Sequence, residues 1–372
     1  MAAVKISDNI YWVGAVDFDI REFHGYETPH GTTYNAYLVL DEKITLIDTV
    51  KSKFSDVLLK NISEIIDPSK IDYVISNHVE PDHSGSLMNI MAIAPNASLY
   101  TTPLGEKGLR AYYHQEWNFK VVKTSDTITT GQYTFEVIQT PMVHWPDNMM
   151  VYLKEKEVLF SNDAFGQHYA SNERYDYEVG ESLVLDRAKD YYANIVLPYG
   201  TQVIKAFNDL EGKNLSMICP SHGLVLKNTI NEILSKYSDW ANNKVNDQQA
   251  VIVYDTMWGA TKDMAHEIAK DFESKGIHPQ IYYLKENHIS QVMNALMEAK
   301  YICVGSSTLN KQMLPNVAAF LTYMKGLAPK NRTGLAFGSY GWSGESIKYV
   351  NETLESCKFE MMDPIKRIYM TP

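Results

Sequence analysis

The stretch Asp72-Tyr-Val-Ile-Ser-Asn-His78-Val-Glu80-Pro-Asp82-His83-Ser-Gly85 decides how this chain is read. Its first residues, Asp72 to Ser76, read as a strand, which runs straight into a dense polar loop, Asn77 to Ser86. Within six residues that loop carries four potential metal ligands, His78, Glu80, Asp82 and His83, and Pro81 stiffens the turn between them. The pattern is that of a compact chelating loop.

Working outward, three more candidates follow predicted strands. His144 lies in Thr140-Pro-Met-Val-His-Trp-Pro-Asp147, Asp163 in Phe160-Ser-Asn-Asp-Ala-Phe-Gly-Gln-His168, and His222 in Ile218-Cys-Pro-Ser-His-Gly223. Each alone more often caps or packs. Open sheets place ligands beyond the C-terminal ends of their strands, so four loops leaving such ends can meet. Together these residues describe a dinuclear site.

The rest of the N-terminal two thirds reads as short strands between helices. Ile10–Val13, Asn35–Leu40 and Lys43–Thr49 are strands, the last two joined as a hairpin at Asp41-Glu42. Lys51–Ile66 has helical spacing of Phe54, Val57, Leu58, Ile62 and Ile65. Further strands fall at Ala97–Thr101, Lys120–Lys123, Tyr133–Thr140, Met149–Leu153 and Val158–Ser161, and helices at Ser182–Asn194, Gln202–Leu210 and Thr229–Tyr237. Polar, aperiodic Asp239–Gln249 marks a boundary between domains 1–246 and 247–372.

Beyond it strands and helices alternate: Ala250–Tyr254, helix Ala260–Ser274, Gln280–Leu284, helix Ile289–Ala299, Tyr301–Gly305, helix Asn316–Gly326 and Thr333–Gly338. Such alternation implies a parallel, doubly wound sheet. Its first strand enters Thr256-Met-Trp-Gly-Ala-Thr261, a turn whose hydroxyls and helix-start amides cradle phosphate. Neither a dinucleotide GxGxxG nor a triphosphate GxxxxGK[ST] is present, so a monophosphate fits. Two later strand ends supply Gly305-Ser-Ser-Thr-Leu-Asn-Lys311 and Gly338-Ser-Tyr-Gly-Trp-Ser-Gly-Glu345, with Tyr340 and Trp342 placed to stack on a flat ring. An FMN site of the flavodoxin kind is expected from Thr256, Met257, Trp258, Gly259, Ala260 and Thr261, then Ser306, Ser307, Thr308, Leu309 and Asn310, and finally Ser339, Tyr340, Gly341, Trp342 and Gly344. The chain stops at Pro372, where a final covering helix is expected but not seen in the sequence.

Composition narrows the classes. The 372 residues carry 34 Lys+Arg against 45 Asp+Glu, a net charge of −11 with no basic tract, which argues against nucleic-acid binding. No apolar run reaches the ~18 residues of a membrane span, and MAAVKISDNIYWVG has no leader pattern. Cys219, Cys303 and Cys357 form no metal-spaced pair and no disulfide framework, which suits a reducing cytoplasm.

The order HxExDH, His, Asp, His resembles the metallo-β-lactamase-like domain of flavodiiron proteins. The module after it resembles the flavodoxin-like domain of the same family, whose phosphate turn commonly reads TMWG(S/A)T. The implied fold is an α/β chain with an N-terminal metallo-β-lactamase-like αββα sandwich and a C-terminal flavodoxin-like doubly wound sheet. Hydrolytic relatives of the first domain read HxHxDH and bind zinc. Glu80 replaces the second His here, and a harder, oxygen-rich set suits redox-active iron. The resemblance implies two non-haem irons, one held by His78, Glu80 and His144 and the other by Asp82, His83 and His222, with Asp163 bridging. In some relatives the residue at the His83 position turns away from the metal. His24, Tyr26, His168 and Tyr199 fall where the family has pocket residues. Implied with the fold are reduction of O₂ to water or NO to N₂O, electrons passed through FMN from a separate rubredoxin, and a head-to-tail homodimer or a dimer of such dimers. A dizinc hydrolase fused to a flavodoxin module is the alternative, and a bare electron carrier with a vestigial N-terminal site is a third reading.

Overall fold

A computed structural model of the chain describes residues 2–368. It divides into two compact units, one comprising Met1–Phe23, Thr28–Tyr191 and Thr201–Tyr237, the other His24–Glu27, Tyr192–Gly200 and Ser238–Pro372.

The first unit is built on two sheets. A seven-stranded sheet runs in the spatial order Val4–Ser7, Ile10–Trp12, Tyr37–Val39, Thr45–Ile47, Tyr73–Ile75, Ser98–Thr101, Phe119–Val121. A five-stranded sheet runs Thr127–Thr129, Thr134–Gln139, Met149–Leu153, Val158–Asn162, Met217–Pro220. Successive strand residues point to opposite faces, and the sequence uses that alternation. Tyr37 and Val39 join Trp12, Ile75, Phe135, Val151 and Phe160 in one buried core between the sheets. Leu38 faces the other way, with Leu46, Val74 and Leu99, and packs on helices Ser55–Ser63, Leu87–Ile93 and Pro103–Tyr113 through Leu58, Ile62, Ile90 and Leu109. Burial of each such side chain contributes about 1.5–3 kcal/mol.

The expected hairpin at Asp41-Glu42 is present, Tyr37–Val39 pairing antiparallel with Thr45–Ile47. The loop Asn77–Ser86 is less irregular than its composition suggests. Pro81 starts a short helix, Pro81–Ser84, because its fixed φ suits the first helical position and its missing N–H is no loss there. Helix Ile230–Ala241 continues into Asp239–Gln249, since Trp240 and Ala241 extend the buried face of Ile233 and Tyr237, and strand Asn246–Asp255 begins inside the same stretch.

In the second unit five parallel-paired positions follow the order His278–Tyr283, Asn246–Asp255, Ala299–Ser307, Thr333–Tyr340 and then Glu360–Met361, with Ile365–Ile368 also pairing to Thr333–Tyr340. Numbered by sequence, the strands lie 2-1-3-4-5, the doubly wound order with its switch point at the first strand. Helix Ala260–Ser274 buries Met264, Ala265, Ile268, Ala269 and Phe272, the stripe expected from its spacing. A helix not foreseen, Glu345–Ser356, buries Ile347, Val350 and Leu354. The final covering helix expected as missing concerns the chain end, and residues 369–372 lie outside the described residues. No helix among the described residues is long and apolar enough to cross a membrane.

Candidate metal centre and phosphate-turn pocket

All seven proposed ligands come together in the first unit, each carried at or just past the C-terminal end of a strand. His78 and Glu80 follow Tyr73–Ile75, and helix Pro81–Ser84 presents Asp82 and His83. His144 follows Thr134–Gln139, Asp163 follows Val158–Asn162, and His222 follows Met217–Pro220. Every one of these side chains is buried.

Their atoms form two groups. His78, His144 and Asp163 make one, and Asp82, His83 and His222 the other, the potential ligand atoms within each lying within 4.8 Å of one another. Asp163 faces both. Its Oδ2 lies 3.7 Å from His78 Nε2 and 3.5 Å from His144 Nε2, while its Oδ1 lies 3.1 Å from His83 Nε2 and 3.4 Å from His222 Nε2. Glu80 Oε2 joins the first group, 3.3 Å from His78 Nε2 and 3.6 Å from His144 Nε2. Asp82 Oδ2 joins the second, 3.2 Å from both His83 Nε2 and His222 Nε2. The His83 ring is turned into the cluster.

Electrostatics identify what the cluster suits. Burial opposes charge on Asp163, yet the His83 charge and the nearby His144 and His222 hold its carboxyl well below the ordinary range, and His83 and His222 do the same for Asp82. Burial equally opposes charge on the rings. Even so, Asp147, Glu80 and Asp163 raise His78 well above its ordinary value, and Asp163 and Asp82 push His222 up to about 10. Both Asp82 oxygens, both Asp163 oxygens and the Nε2 atoms of His83 and His222 are buried without a well-formed hydrogen bond. Burying carboxylates this way costs several kcal/mol each unless a cation compensates them. Nitrogen and oxygen donors converging in two groups fit a pair of metal ions, and the absence of thiolate among them favours a harder, redox-active ion over structural zinc.

The other nitrogens of the rings are held from behind. His78 Nδ1 lies 2.9 Å from Asp147 Oδ2, and His222 Nδ1 lies 2.7 Å from the Thr33 carbonyl oxygen. Gly223 makes the second contact feasible: its φ is +84°, and a Cβ there would meet the Gln167 carbonyl oxygen at 2.6 Å. Asp48, itself buried, accepts from Asn77 N at 2.7 Å and Asn77 Nδ2 at 2.9 Å, fixing the residue before His78. Sequence reading passed over Asp48, Thr33 and Asp147. Only Asp147 left a signal, in the same Trp145-Pro-Asp run that follows His144.

The four expected pocket residues separate. His168 stands in the first unit, its Nδ1 2.7 Å from Thr32 Oγ1 and its ring 4.9 Å from His222, with Phe23 at 4.8 Å and Tyr191 at 4.9 Å. His24, Tyr26 and Tyr199 belong to the second unit.

The second unit holds a cavity of about 510 Å³ at the C-terminal ends of its central strands. Of the expected FMN contacts, Met257, Trp258, Ala260, Ser307, Thr308, Leu309, Asn310, Ser339, Tyr340, Gly341 and Trp342 line it, and Lys311 and Ser343, not foreseen, line it too. The remaining five are not among its lining residues. Thr256 Oγ1 accepts from Gly259 N at 3.1 Å, and Gly259 itself takes φ +93°, open to glycine at no steric cost. Thr261 Oγ1 is 3.0 Å from both Ser307 Oγ and Ser339 Oγ, a buried hydroxyl triangle tying three loops together. Ser306 Oγ accepts from Leu314 N, and Gly344 precedes helix Glu345–Ser356. Trp258 and Trp342 are 92% and 87% exposed, so neither serves the core of its own unit. A helix-start turn beside large exposed rings suits a phosphate joined to a flat aromatic group.

Both parts of the chain match known proteins. The profile described as ODP family beta lactamase matches residues 32–223, and the one described as flavodoxin matches residues 252–372. A relative named nitric oxide reductase from Moorella thermoacetica is 40% identical, the match covering 96% of this chain and 91% of the relative. The structure of rubredoxin oxygen:oxidoreductase from Desulfovibrio gigas superposes with a TM-score of 0.97 at 40% identity, covering 100% of this chain and 94% of that one. The flavodiiron protein of Giardia intestinalis gives a TM-score of 0.96 at 31% identity, covering 100% and 92%.

Proposed function

Because the chain belongs to the flavodiiron proteins and is a flavodiiron oxidoreductase using a diiron centre and FMN, we propose that it reduces O₂ to water, NO to N₂O, or both. The observation that carries this reading is Asp163, with one carboxylate oxygen toward each of two buried donor groups. Such a carboxylate suits two adjacent metal ions sharing one small substrate.

When bound, the irons supply one-electron steps at the gas and FMN supplies two-electron uptake from a donor. O₂ takes four electrons and four protons to give two waters, and two NO take two electrons and two protons to give N₂O and water. The chain's own part is positioning. His78, Glu80 and His144 would hold one ion, and Asp82, His83 and His222 the other. Asp147 and the Thr33 carbonyl fix which ring nitrogen faces inward. Burial of the whole set keeps bulk water from the donor atoms. His168, against His222, is the wall residue best placed to orient that ring, while His24, Tyr26 and Tyr199 remain proposed pocket residues by family resemblance. In the second unit the Thr256–Thr261 turn would hold the phosphate, and Tyr340, Trp258 and Trp342 the ring.

The donor is a small iron protein of the rubredoxin kind, the partner that the D. gigas relative names. We place the protein in the cytoplasm, where its three unpaired cysteines stay reduced, and its working form is a head-to-tail homodimer. The test is metal and flavin content beside anaerobic turnover. Close to two irons and one FMN per chain, with NO or O₂ consumed on addition of reduced rubredoxin, is expected. Zinc without flavin and no gas consumption would favour the dizinc hydrolase.

A further inference from the structure

The two donor groups are backed unequally. His78 Nδ1 faces a carboxylate, Asp147 Oδ2, at 2.9 Å, whereas His222 Nδ1 faces a neutral amide carbonyl, Thr33 O, at 2.7 Å. His83 Nδ1 has no hydrogen bond among the described residues, and the buried Asp48 carboxylate acts on that ring only through its charge. The carboxylate is itself held firmly. Its Oδ2 also accepts from Val79 N at 2.8 Å, and the Asp147 carbonyl accepts from Thr102 Oγ1 at 2.9 Å. That threonine hydroxyl in turn accepts from Gly105 N at 2.9 Å, capping helix Pro103–Tyr113. Asp147 is buried, so its charge is little screened by water, and Trp145 packs edge-on against His78 with ring centroids 5.1 Å apart.

We infer that Asp147 is a positioning residue that makes the two metal positions inequivalent, by giving His78 Nδ1 a direct carboxylate hydrogen bond that neither His222 Nδ1 nor His83 Nδ1 makes. An imidazole whose N–H points at a buried carboxylate is a stronger electron donor than one bonded to a carbonyl. The ion at His78, Glu80 and His144 is therefore the more tightly held of the two and the one whose oxidised form is favoured. Fixing the proton on Nδ1 would also leave the Nε2 lone pair free for the ion that Glu80 and Asp163 face as well, so charge and tautomer act together. This inference rests on the diiron reading.

The substitution Asp147→Asn tests it in the full-length, FMN-loaded protein, because Asn keeps the size and one acceptor oxygen but removes the charge. Iron affinity by chelator competition is expected to fall about 10- to 100-fold for one ion of the two. In a redox titration followed by electron paramagnetic resonance, the potential of that ion is expected to rise while FMN content stays constant. Asp147→Glu, which restores a carboxylate, is expected to recover part of both. Two irons of unchanged affinity and potential in Asp147→Asn would overturn the inference, as would equal changes at both ions. Absence of iron from the wild-type protein would instead overturn the functional reading. A readout that needs no variant is partial chelation of the wild type followed by anomalous diffraction. The retained ion is expected at His78, and retention at His222 alone would refute the proposal.

Discussion

The metal centre and the phosphate-turn pocket use the same device, loops leaving the C-terminal ends of strands, but differ in what fills them. The first is closed: seven buried ionisable side chains and a further layer, Asp147, Thr33 and Asp48, that fixes them. The second is open, with backbone turns and hydroxyls at its base and two tryptophans more than four-fifths exposed at its rim. A site for small ions must gather charge at sub-ångström accuracy and so needs a rigid, dry surround. A site for a large flat group needs area and a phosphate anchor, and its rings gain cover when that group arrives.

The largest effect that separates the two regions is expected for Asp163→Ala. Gas consumption should vanish and FMN should stay bound, read by electrode and by flavin absorbance. Retained turnover would remove the bridging role. Next comes removal of the metal. Ions that bind only the folded form stabilise it by about 4 kcal/mol at a thousandfold excess over Kd. Calorimetry of chelated protein should therefore show a lowered transition, with FMN affinity unaltered. An unchanged melting profile would mean that the buried carboxylates do not await a cation.

Smaller effects probe the open region. Thr261→Val deletes one corner of the hydroxyl triangle at nearly constant shape, and losing that hydrogen bonding costs about 0.5–1.5 kcal/mol, so FMN affinity should fall by at most about tenfold. Iron content should not move, and equal affinity would make the triangle mere packing. Trp342→Ala should change the stability of the flavin-free protein by less than about 0.5 kcal/mol, because the ring is almost wholly exposed there. FMN binding should nevertheless weaken by about 0.5–1.5 kcal/mol from lost stacking. A large stability loss without a binding loss would reverse that assignment.

The sequence showed the two regions unequally. Four candidate ligands crowd the loop after one strand, so the candidate metal centre stood out, and the candidate phosphate turn was marked by its threonines and glycine. The layer behind the ligands was hidden by distance along the chain. Asp147 is 69 residues from His78, Thr33 is 189 from His222, and Asp48 is 29 from Asn77, contacts made only once the sheets have formed. Short helices such as Pro81–Ser84 span too little sequence to show a period. Glu345–Ser356 was masked by the glycine-rich loop that runs into it. His24 and Tyr26 show a different limit, since a reading by sequence neighbourhood could not tell that their hairpin turn belongs to the second unit.

On the proposed function, gas chemistry occurs at the buried metal centre while the flavin only relays electrons. Single-turnover mixing tests it most directly: fully reduced wild type and Asp163→Ala, each meeting O₂ or NO while flavin absorbance and peroxide are followed. The wild type should reoxidise its flavin in step with gas loss and release no peroxide. In Asp163→Ala the flavin should stay reduced in NO and, in O₂, reoxidise slowly with peroxide released. Equal flavin reoxidation in both proteins, with the same products, would contradict the account.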